Sequence, residues 1–146
     1  MAGRTQEAEK AFAEFEKKSI IESHRADNSN RELIYYYADR ANESAKALEV
    51  AKREYASRHD VYTLDAYAWA LYVNGRFEEA RKQIEAALVV GIRDAKLFRH
   101  AGEIALKSGD RAKAQQYLSQ SAELNTIDSK LAREQLALIA EAPIGQ

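Results

Sequence analysis

The sequence predicts an all-α array of antiparallel helical hairpins, and three observations support this fold class. Residues recur at a spacing of 34 positions, which is typical of repeat architectures. The matching pairs are Gly75 and Gly109, Ala80 and Ala114, Ala68 and Gly102, Ile84 and Leu118, and Leu64 and Phe98. Proline occurs once in 146 residues, so almost nothing in the chain interrupts a helix. Single glycine or asparagine residues separate segments whose apolar residues have helical spacing.

The N-terminal part of the chain is predicted to hold three helices, over residues 5–24, 30–40 and 43–58. The first carries Phe12 and Phe15 on one side, and a polar stretch separates it from the second. Ser29 and Glu32 have the spacing of a capping box, in which each side chain accepts a hydrogen bond from the other's free amide. Asn42 tolerates the left-handed conformation that a tight turn needs, so it ends the second helix.

Five further helices are predicted over residues 60–74, 77–90, 94–108, 111–124 and 128–140. Asp60, Asp94 and Asp128 are the predicted N-caps, because a carboxylate accepts hydrogen bonds from the free amides of the first turn. Gly75 and Gly109 supply the turns between paired helices, since glycine adopts a positive φ without steric cost. Short connections of this kind favour antiparallel neighbours.

Two successive units resemble the tetratricopeptide repeat. The residues that carry the resemblance are Leu64, Tyr67, Ala68, Leu71, Gly75, Phe77, Ala80, Ile84, Ala87 and Leu88 in one unit, and Phe98, Ala101, Gly102, Ala105, Gly109, Ala114, Leu118, Ser121 and Ala122 in the next. A more degenerate unit precedes them at an offset one position short of the full period, with Tyr35 where the family has Gly or Ala. The small residues would let paired helices approach closely.

The resemblance implies a right-handed superhelical solenoid. It would contain about three repeats, over residues 28–60, 61–94 and 95–127, between an N-terminal helix (5–24) and a C-terminal capping helix (128–140). Terminal repeats need such caps because their outer faces are otherwise left open. Residues 1–146 are expected to form a single domain.

Bulk composition narrows the function classes. The chain has 22 Lys and Arg against 23 Asp and Glu, a net charge of −1, whereas nucleic-acid-binding domains normally carry a basic excess. It contains no cysteine, which excludes disulfides and thiolate chemistry. The longest apolar run, 66–73, is far shorter than the roughly 18 residues of a membrane-spanning helix, so membrane insertion is not expected. The polar N-terminus lacks the apolar core of a signal peptide, and a cytoplasmic location is the default expectation.

No motif in the sequence predicts catalysis. His24, His59 and His100 are scattered, and the chain has no His-Glu-x-x-His element. His100 and Glu103 share a helix face, but a di-iron bundle needs two Glu-x-x-His elements in that order. Glycine-rich phosphate loops are also missing. The sequence therefore predicts neither an enzyme nor a site for a metal or cofactor.

A second stripe of residues lies on the first helix of each unit, away from the face that packs the hairpin. In the family, this stripe lines a concave groove that binds extended peptides or helices. The candidate groove residues are Glu32, Tyr36, Asp39, Tyr62, Asp65, Trp69, Tyr72, Arg99, His100 and Glu103. The alternative is that Trp69 and Tyr72 pack against the adjacent hairpin or the N-terminal helix.

The resemblance implies a non-catalytic scaffold that binds a peptide or helical segment of a partner protein. One family subset clamps C-terminal carboxylates with Lys and Asn, but acidic and aromatic residues occupy those places here, which favours a mixed or basic segment. An alternative is self-association through the N-terminal helix, whose residues Phe12, Phe15, Ile20 and Ile21 are more apolar than a lone cap requires. A regulatory fragment of a larger repeat protein is a further alternative.

Overall fold

In the computed structural model, residues 2–22 and 30–142 are described, and they form eight helices without a strand. The helices are α1 (Ala2–Glu22), α2 (Arg31–Tyr35, continued by a π-helical turn over Tyr36–Arg40), α3 (Ser44–Ser57), α4 (Val61–Val73), α5 (Phe77–Leu88), α6 (Ala95–Lys107), α7 (Arg111–Ala122) and α8 (Ile127–Glu141). The all-α prediction is confirmed. Ser29 and His24 lie outside the described residues, so the predicted capping box is not described.

The helices pack as successive hairpins. α2 packs on α3, α4 on α5 and α6 on α7, while α3 contacts α4 and α5 contacts α6. The first helices of the hairpins also touch one another, α2 with α4 and α4 with α6, and α8 continues this row against α6. α1 contacts the first hairpin through side chains, with Phe12 and Phe15 against Tyr36 and with Glu16 accepting from the Tyr37 hydroxyl. No helix among the described residues is long and apolar enough to cross a membrane.

Residues in the left-handed backbone conformation make the turns between helices, as the sequence predicts. Gly75 and Gly109 have φ values of 74° and 81°, and Asn42 has a φ of 52°. Asn125 also has a positive φ of 55°, ahead of α8, which the sequence analysis missed. α5 and α7 each end two residues earlier than predicted, because the chain turns after Leu88 and after Ala122.

Small residues allow the paired helices to approach closely. Ala68, Ala80 and Ala114 are fully buried at the hairpin contacts. A Cβ atom added to Gly102 would lie 2.5 Å from Cγ of Leu118, closer than real Cβ contacts allow. This geometry explains why glycine stands at position 102, one repeat after Ala68.

Two of the three predicted aspartate caps are confirmed and one is wrong. Asp60 accepts hydrogen bonds from the amides of Tyr62 and Thr63, and Asp94 accepts one from the amide of Leu97. Burial alone would raise the pKa of Asp60, but hydrogen bonds from Thr63 and the backbone lower it overall. Asp128 does not cap α8. Thr126 does so in a reciprocal capping box with Ser129, which leaves the Asp128 carboxylate to pair with another helix.

The π-helical turn changes the alignment of the first repeat. A π turn holds more residues than an α turn. The turn over Tyr36–Arg40 holds one extra residue, so residues after it precede their counterparts in the next repeat by 33 positions instead of 34. Upstream of it the offset returns to 34, so Ile34 aligns with Ala68 and Tyr35 aligns with Trp69. The sequence alone predicted an offset of 33 here, which would place Tyr35 opposite Ala68. The structure instead places the Tyr35 hydroxyl on Asp65 of α4, at a contact between hairpins.

Candidate binding groove

An open groove of about 470 Å³ runs across the N-terminal ends of the first helices of the hairpins. Its walls come from α2, α4 and α6 and from the start of α8. The lining residues are Arg31, Glu32, Tyr35, Tyr62, Asp65, Asp94, Ala95, Lys96, Thr126 and Asp128. These helices meet at one face because they form the contacting row described above.

Aromatic rings and charges of both signs line the accessible part of the groove. Tyr62 is 42% exposed, and the guanidinium carbon of Arg31 lies 4.6 Å from the centroid of its ring. Lys96 Nζ lies 4.3 Å from the ring centroid of Tyr35. The Glu32 carboxylate is exposed, with one oxygen 3.7 Å from Nε of Arg31. Both cations therefore rest on tyrosine faces of this chain, where the ring quadrupole attracts them.

A buried polar network forms the floor of the groove. The Tyr35 hydroxyl donates to Asp65 Oδ2 at 2.9 Å, and His100 Nδ1 lies 2.8 Å from Asp65 Oδ1. Arg99 Nη2 lies 3.2 Å from His100 Nε2. A guanidinium only donates, so Nε2 accepts this hydrogen bond and the proton of the neutral imidazole sits on Nδ1, which donates to Asp65. Burial and the Asp65 carboxylate together raise the pKa of Tyr35.

Arg99 joins this network to α8. Its Nε donates to Asp128 Oδ1 and its Nη1 donates to Glu103 Oε1, each at 2.8 Å. Burial would lower the pKa of Arg99, but the hydrogen bonds and charges of the two carboxylates outweigh burial and raise it. The guanidinium stays charged, and its contacts link α6 to the C-terminal capping helix.

Trp69 fills the space between the hairpins beside this network. Its ring stacks on His100 with a centroid distance of 4.0 Å and on Tyr72 with a distance of 4.6 Å. Its Nε1 donates to Asp39 Oδ1 at 2.8 Å, which ties α4 to the π-helical turn of α2. Burial, followed by the charge of Glu103, raises the pKa of Tyr72 to about 12. Trp69 thus makes the packing contacts that the sequence analysis set out as the alternative to a groove role.

The ten predicted groove residues fall into two groups. Four are buried, three in the floor and Trp69 beside it, with exposures of 3% for Asp65, 5% for Trp69, 7% for Arg99 and 0% for His100. The others keep exposed or partly exposed surface: Glu32, Tyr36, Asp39, Tyr62, Tyr72 and Glu103. Of these six, Glu32 and Tyr62 line the groove itself, while Tyr36 lies under Phe12 and Phe15 of α1.

Several groove residues were not predicted from the sequence. Tyr35 was missed because the π-helical turn hides its alignment with Trp69. Arg31 and Asp94 stand at helix starts, where the sequence suggests ordinary capping and surface roles, and Asp128 was assigned to a cap. Arg31 could have been found from its place, since the offset of 34 that holds before the π-helical turn aligns it with Asp65, a predicted groove residue.

Nothing in the described residues points to a metal site. No cluster of three or more His, Cys, Asp or Glu side chains there is arranged to hold a metal ion. The carboxylates in the groove floor are already engaged by the Tyr35 hydroxyl, His100 and Arg99.

Comparison with known proteins identifies a solved structure with a similar fold. No protein-family model matches the chain, and no curated protein matches it. A solved structure does: the crystal structure of the Yersinia enterocolitica type III secretion translocator chaperone SycD in an alternative dimer. The two share 20% sequence identity with a TM-score of 0.59, over 80% of this chain and 96% of that chain. SycD has a tetratricopeptide-like helical fold, and the helical-repeat fold predicted for this chain is thereby confirmed.

Proposed function

We propose that the chain is a non-catalytic interaction module whose groove binds a segment of a partner protein. The observation that carries this proposal is the groove across the ends of α2, α4 and α6, with Tyr62 and the charges around it accessible above a fixed polar floor. Aromatic and arginine side chains at the centre of a concave surface are the residues that dominate binding energy in protein interfaces. The similar structure is of a protein described as a translocator chaperone, which is in keeping with a protein-binding role.

The contacts of the floor argue against a catalytic role. His100 is fully buried, and both of its ring nitrogens are engaged, by Asp65 and by Arg99. A general base must reach the proton that it abstracts from a substrate, and this imidazole has no free nitrogen or access for that purpose. The floor therefore holds the hairpins in place and gives the groove a fixed shape.

The charges of the groove favour a basic segment that also carries an apolar or aromatic residue. Four carboxylates line the groove, those of Glu32, Asp65, Asp94 and Asp128, together with the two cations Arg31 and Lys96. Asp65 and Asp128 are buried and engaged in the floor, so Glu32 is the carboxylate exposed at the rim. Both cations already contact tyrosine rings. An incoming lysine or arginine would meet Glu32 at the rim, and an apolar side chain would pack on Tyr62 and Tyr35.

The test is a binding titration with a defined peptide. A peptide is selected from a random library against the immobilised full chain, and its affinity is measured by calorimetry. We expect Tyr62→Ala to weaken binding at least about tenfold, which corresponds to about 1.4 kcal/mol, since it removes the exposed ring. Val89→Ala is the control, because Val89 is 86% exposed at the end of α5, outside the groove lining.

An unchanged affinity for Tyr62→Ala would contradict the groove proposal, provided that the variant keeps the circular dichroism spectrum of the parent. A loss of affinity in Val89→Ala of the same size would also contradict it, because binding would then use a different face.

Self-association through α1 is a second candidate. Phe15, Ile20 and Ile21 are 37%, 43% and 64% exposed on this helix, and the similar structure is described as a dimer. We expect sedimentation equilibrium to show a concentration-dependent rise in mass that Ile21→Glu removes. A chain that stays monomeric at the highest concentrations reached would exclude this candidate.

A further inference from the structure

A second recess lies between α5, α6 and α7, away from the groove. It has a volume of about 250 Å³, and its apolar floor consists of Ile84, Leu88, Ala101, Ile104 and Ala105. Charged residues from α5 and α7 surround its mouth. None of its lining residues lines the groove, so this recess is a separate feature of the chain.

One repeat earlier, the chain fills the corresponding space with its own aromatic rings. Tyr67 stands one full period before Ala101, and its ring centroid lies 4.6 Å from that of Tyr55. Tyr55 precedes Leu88 by 33 residues, the offset between the first two repeats after the π-helical turn. Where the earlier interface holds a tyrosine pair, the later one holds Leu88 and Ala101. Tyr117 of α7, which stands where the earlier repeat has Gln83, lines the side of this later space and leaves it open.

The charged surroundings of the two places also correspond. Burial raises the pKa of Tyr67, and the charges of Arg76 and Glu79 act on the same hydroxyl. Their counterparts one period later are Asp110 and Lys113, which carry the opposite charges and both line the recess. The ring contact of Tyr67 with Tyr55 therefore indicates that a tyrosine ring suits this space, with charged residues nearby.

Unpartnered polar atoms in the recess support this comparison. Within the described residues, Nε of Arg81 and Oγ of Ser108 are buried without a hydrogen-bond partner. At the earlier place, the counterpart of Ser108 is Asn74, which donates to the carbonyls of Ser44 and Ala70 at 2.7 Å. Buried polar groups normally have partners, and a phenol hydroxyl can both accept from Arg81 and bond to Ser108.

We propose that this recess binds an aromatic side chain, tyrosine in preference to phenylalanine, from a segment of a partner protein. The ring takes the place that Tyr67 takes one repeat earlier, against Leu88 and Ala101. The volume is sufficient, because an apolar cavity of about 150 Å³ accepts benzene. The proposal does not depend on the groove, since the two sites share no residue.

The experiment uses two probes, p-cresol and N-acetyl-tyrosinamide, and follows the isoleucine methyl resonances of the full chain by NMR. We expect both probes to shift Ile84 and Ile104 saturably. Ala101→Tyr places a ring of the chain's own in the recess, as in the preceding repeat, and Leu88→Tyr fills it from the other wall. We expect each filling variant to abolish the shifts without lowering the melting temperature.

Tyr67→Ala is the matched control, because it opens the equivalent recess at the preceding interface. We expect it to bind a second equivalent of p-cresol. Saturable shifts that persist in both filling variants would overturn the proposal. A fall of several degrees in the melting temperature of both variants would also overturn it, because the recess would then have no room for the added ring. Binding of p-cresol without N-acetyl-tyrosinamide would overturn it too, because the site would then admit a free phenol but not a side chain attached to a backbone.

Discussion

Replacing Trp69 by alanine is expected to lower the free energy of unfolding by about 3–5 kcal/mol, the usual range for a buried Trp. The ring is 5% exposed and stacks between Tyr72 and His100, so its removal leaves a cavity at the contact between two hairpins. The change also leaves the Asp39 carboxylate without its indole donor. The first effect weakens the contact of α4 with α6, and the second weakens the contact of α4 with the π-helical turn of α2.

Urea unfolding followed by circular dichroism measures this effect, because Trp69 is the only tryptophan and its fluorescence is lost in the variant. Trp69→Phe retains a ring but removes the hydrogen bond to Asp39, and we expect a smaller loss. Tyr62→Ala is the control at an exposed ring of the same helix, with an expected loss below about 1 kcal/mol. If Trp69→Ala were as mild as Tyr62→Ala, the indole would face solvent, as a groove residue would.

Replacing Arg99 by methionine is expected to lower the free energy of unfolding by about 3–5 kcal/mol. Methionine keeps most of the apolar stem but removes the charge that lies between Asp128 and Glu103. Two largely buried carboxylates, with side-chain exposures of 12% and 16%, then face each other without a cation. His100 also loses the donor to its Nε2. Most of the expected loss of stability comes from leaving two buried carboxylates without a cation, and less comes from the energy of the ion pairs themselves.

Arg93→Met is the matched control, because this arginine is 70% exposed and reaches Glu123 only at 4.0 Å. Exposed pairs of this kind contribute less than about 1 kcal/mol. Adding Asp128→Asn to Arg99→Met removes one of the stranded charges, and we expect it to restore part of the stability. A loss in Arg99→Met no larger than that in Arg93→Met would show that the network does not hold α6 to α8.

The hairpin scaffold was predictable because its residues obey local rules. The left-handed turns at Asn42, Gly75 and Gly109 follow from residue type. The close contact at Gly102 was predictable because a small residue stands there one period after Ala68. A small residue at both positions lets the paired helices approach closely. The repeat period combines these local rules into one architecture, and the solved structure of SycD supports the same fold.

The pairing of polar residues across hairpins was not predictable from local rules. A carboxylate at the start of a helix can cap it or bind a cation from another helix, and Asp128 does the second because Thr126 caps α8 and Arg99 lies within reach. Likewise, helical spacing shows that Trp69 and Arg99 lie off the hairpin face. It does not show whether that direction meets solvent or the next hairpin.

The sequence predicted only part of the lining of the candidate groove. Glu32, Tyr62 and Asp65 of the predicted stripe line the groove, whereas Trp69, Arg99 and His100 are buried and do not line it. Arg31 and Lys96 add accessible lining, and the buried ring of Tyr35 lies beneath Lys96. The π-helical turn accounts for Tyr35, because one extra residue moves the ring to the position that Trp69 holds in the next repeat. A floor fixed by hydrogen bonds suits binding, since a preorganised site loses less entropy when a partner docks.

The most direct test of the central claim is an NMR map of the selected peptide on the full chain. The side-chain and amide resonances of each element are compared between the free and the peptide-bound protein. We expect the largest changes at Tyr62, Glu32 and Lys96, at the N-terminal ends of α2, α4 and α6, with little change on α5 and α7. Changes confined to α5 and α7 or to α1, with Tyr62 unaffected, would contradict binding in the groove.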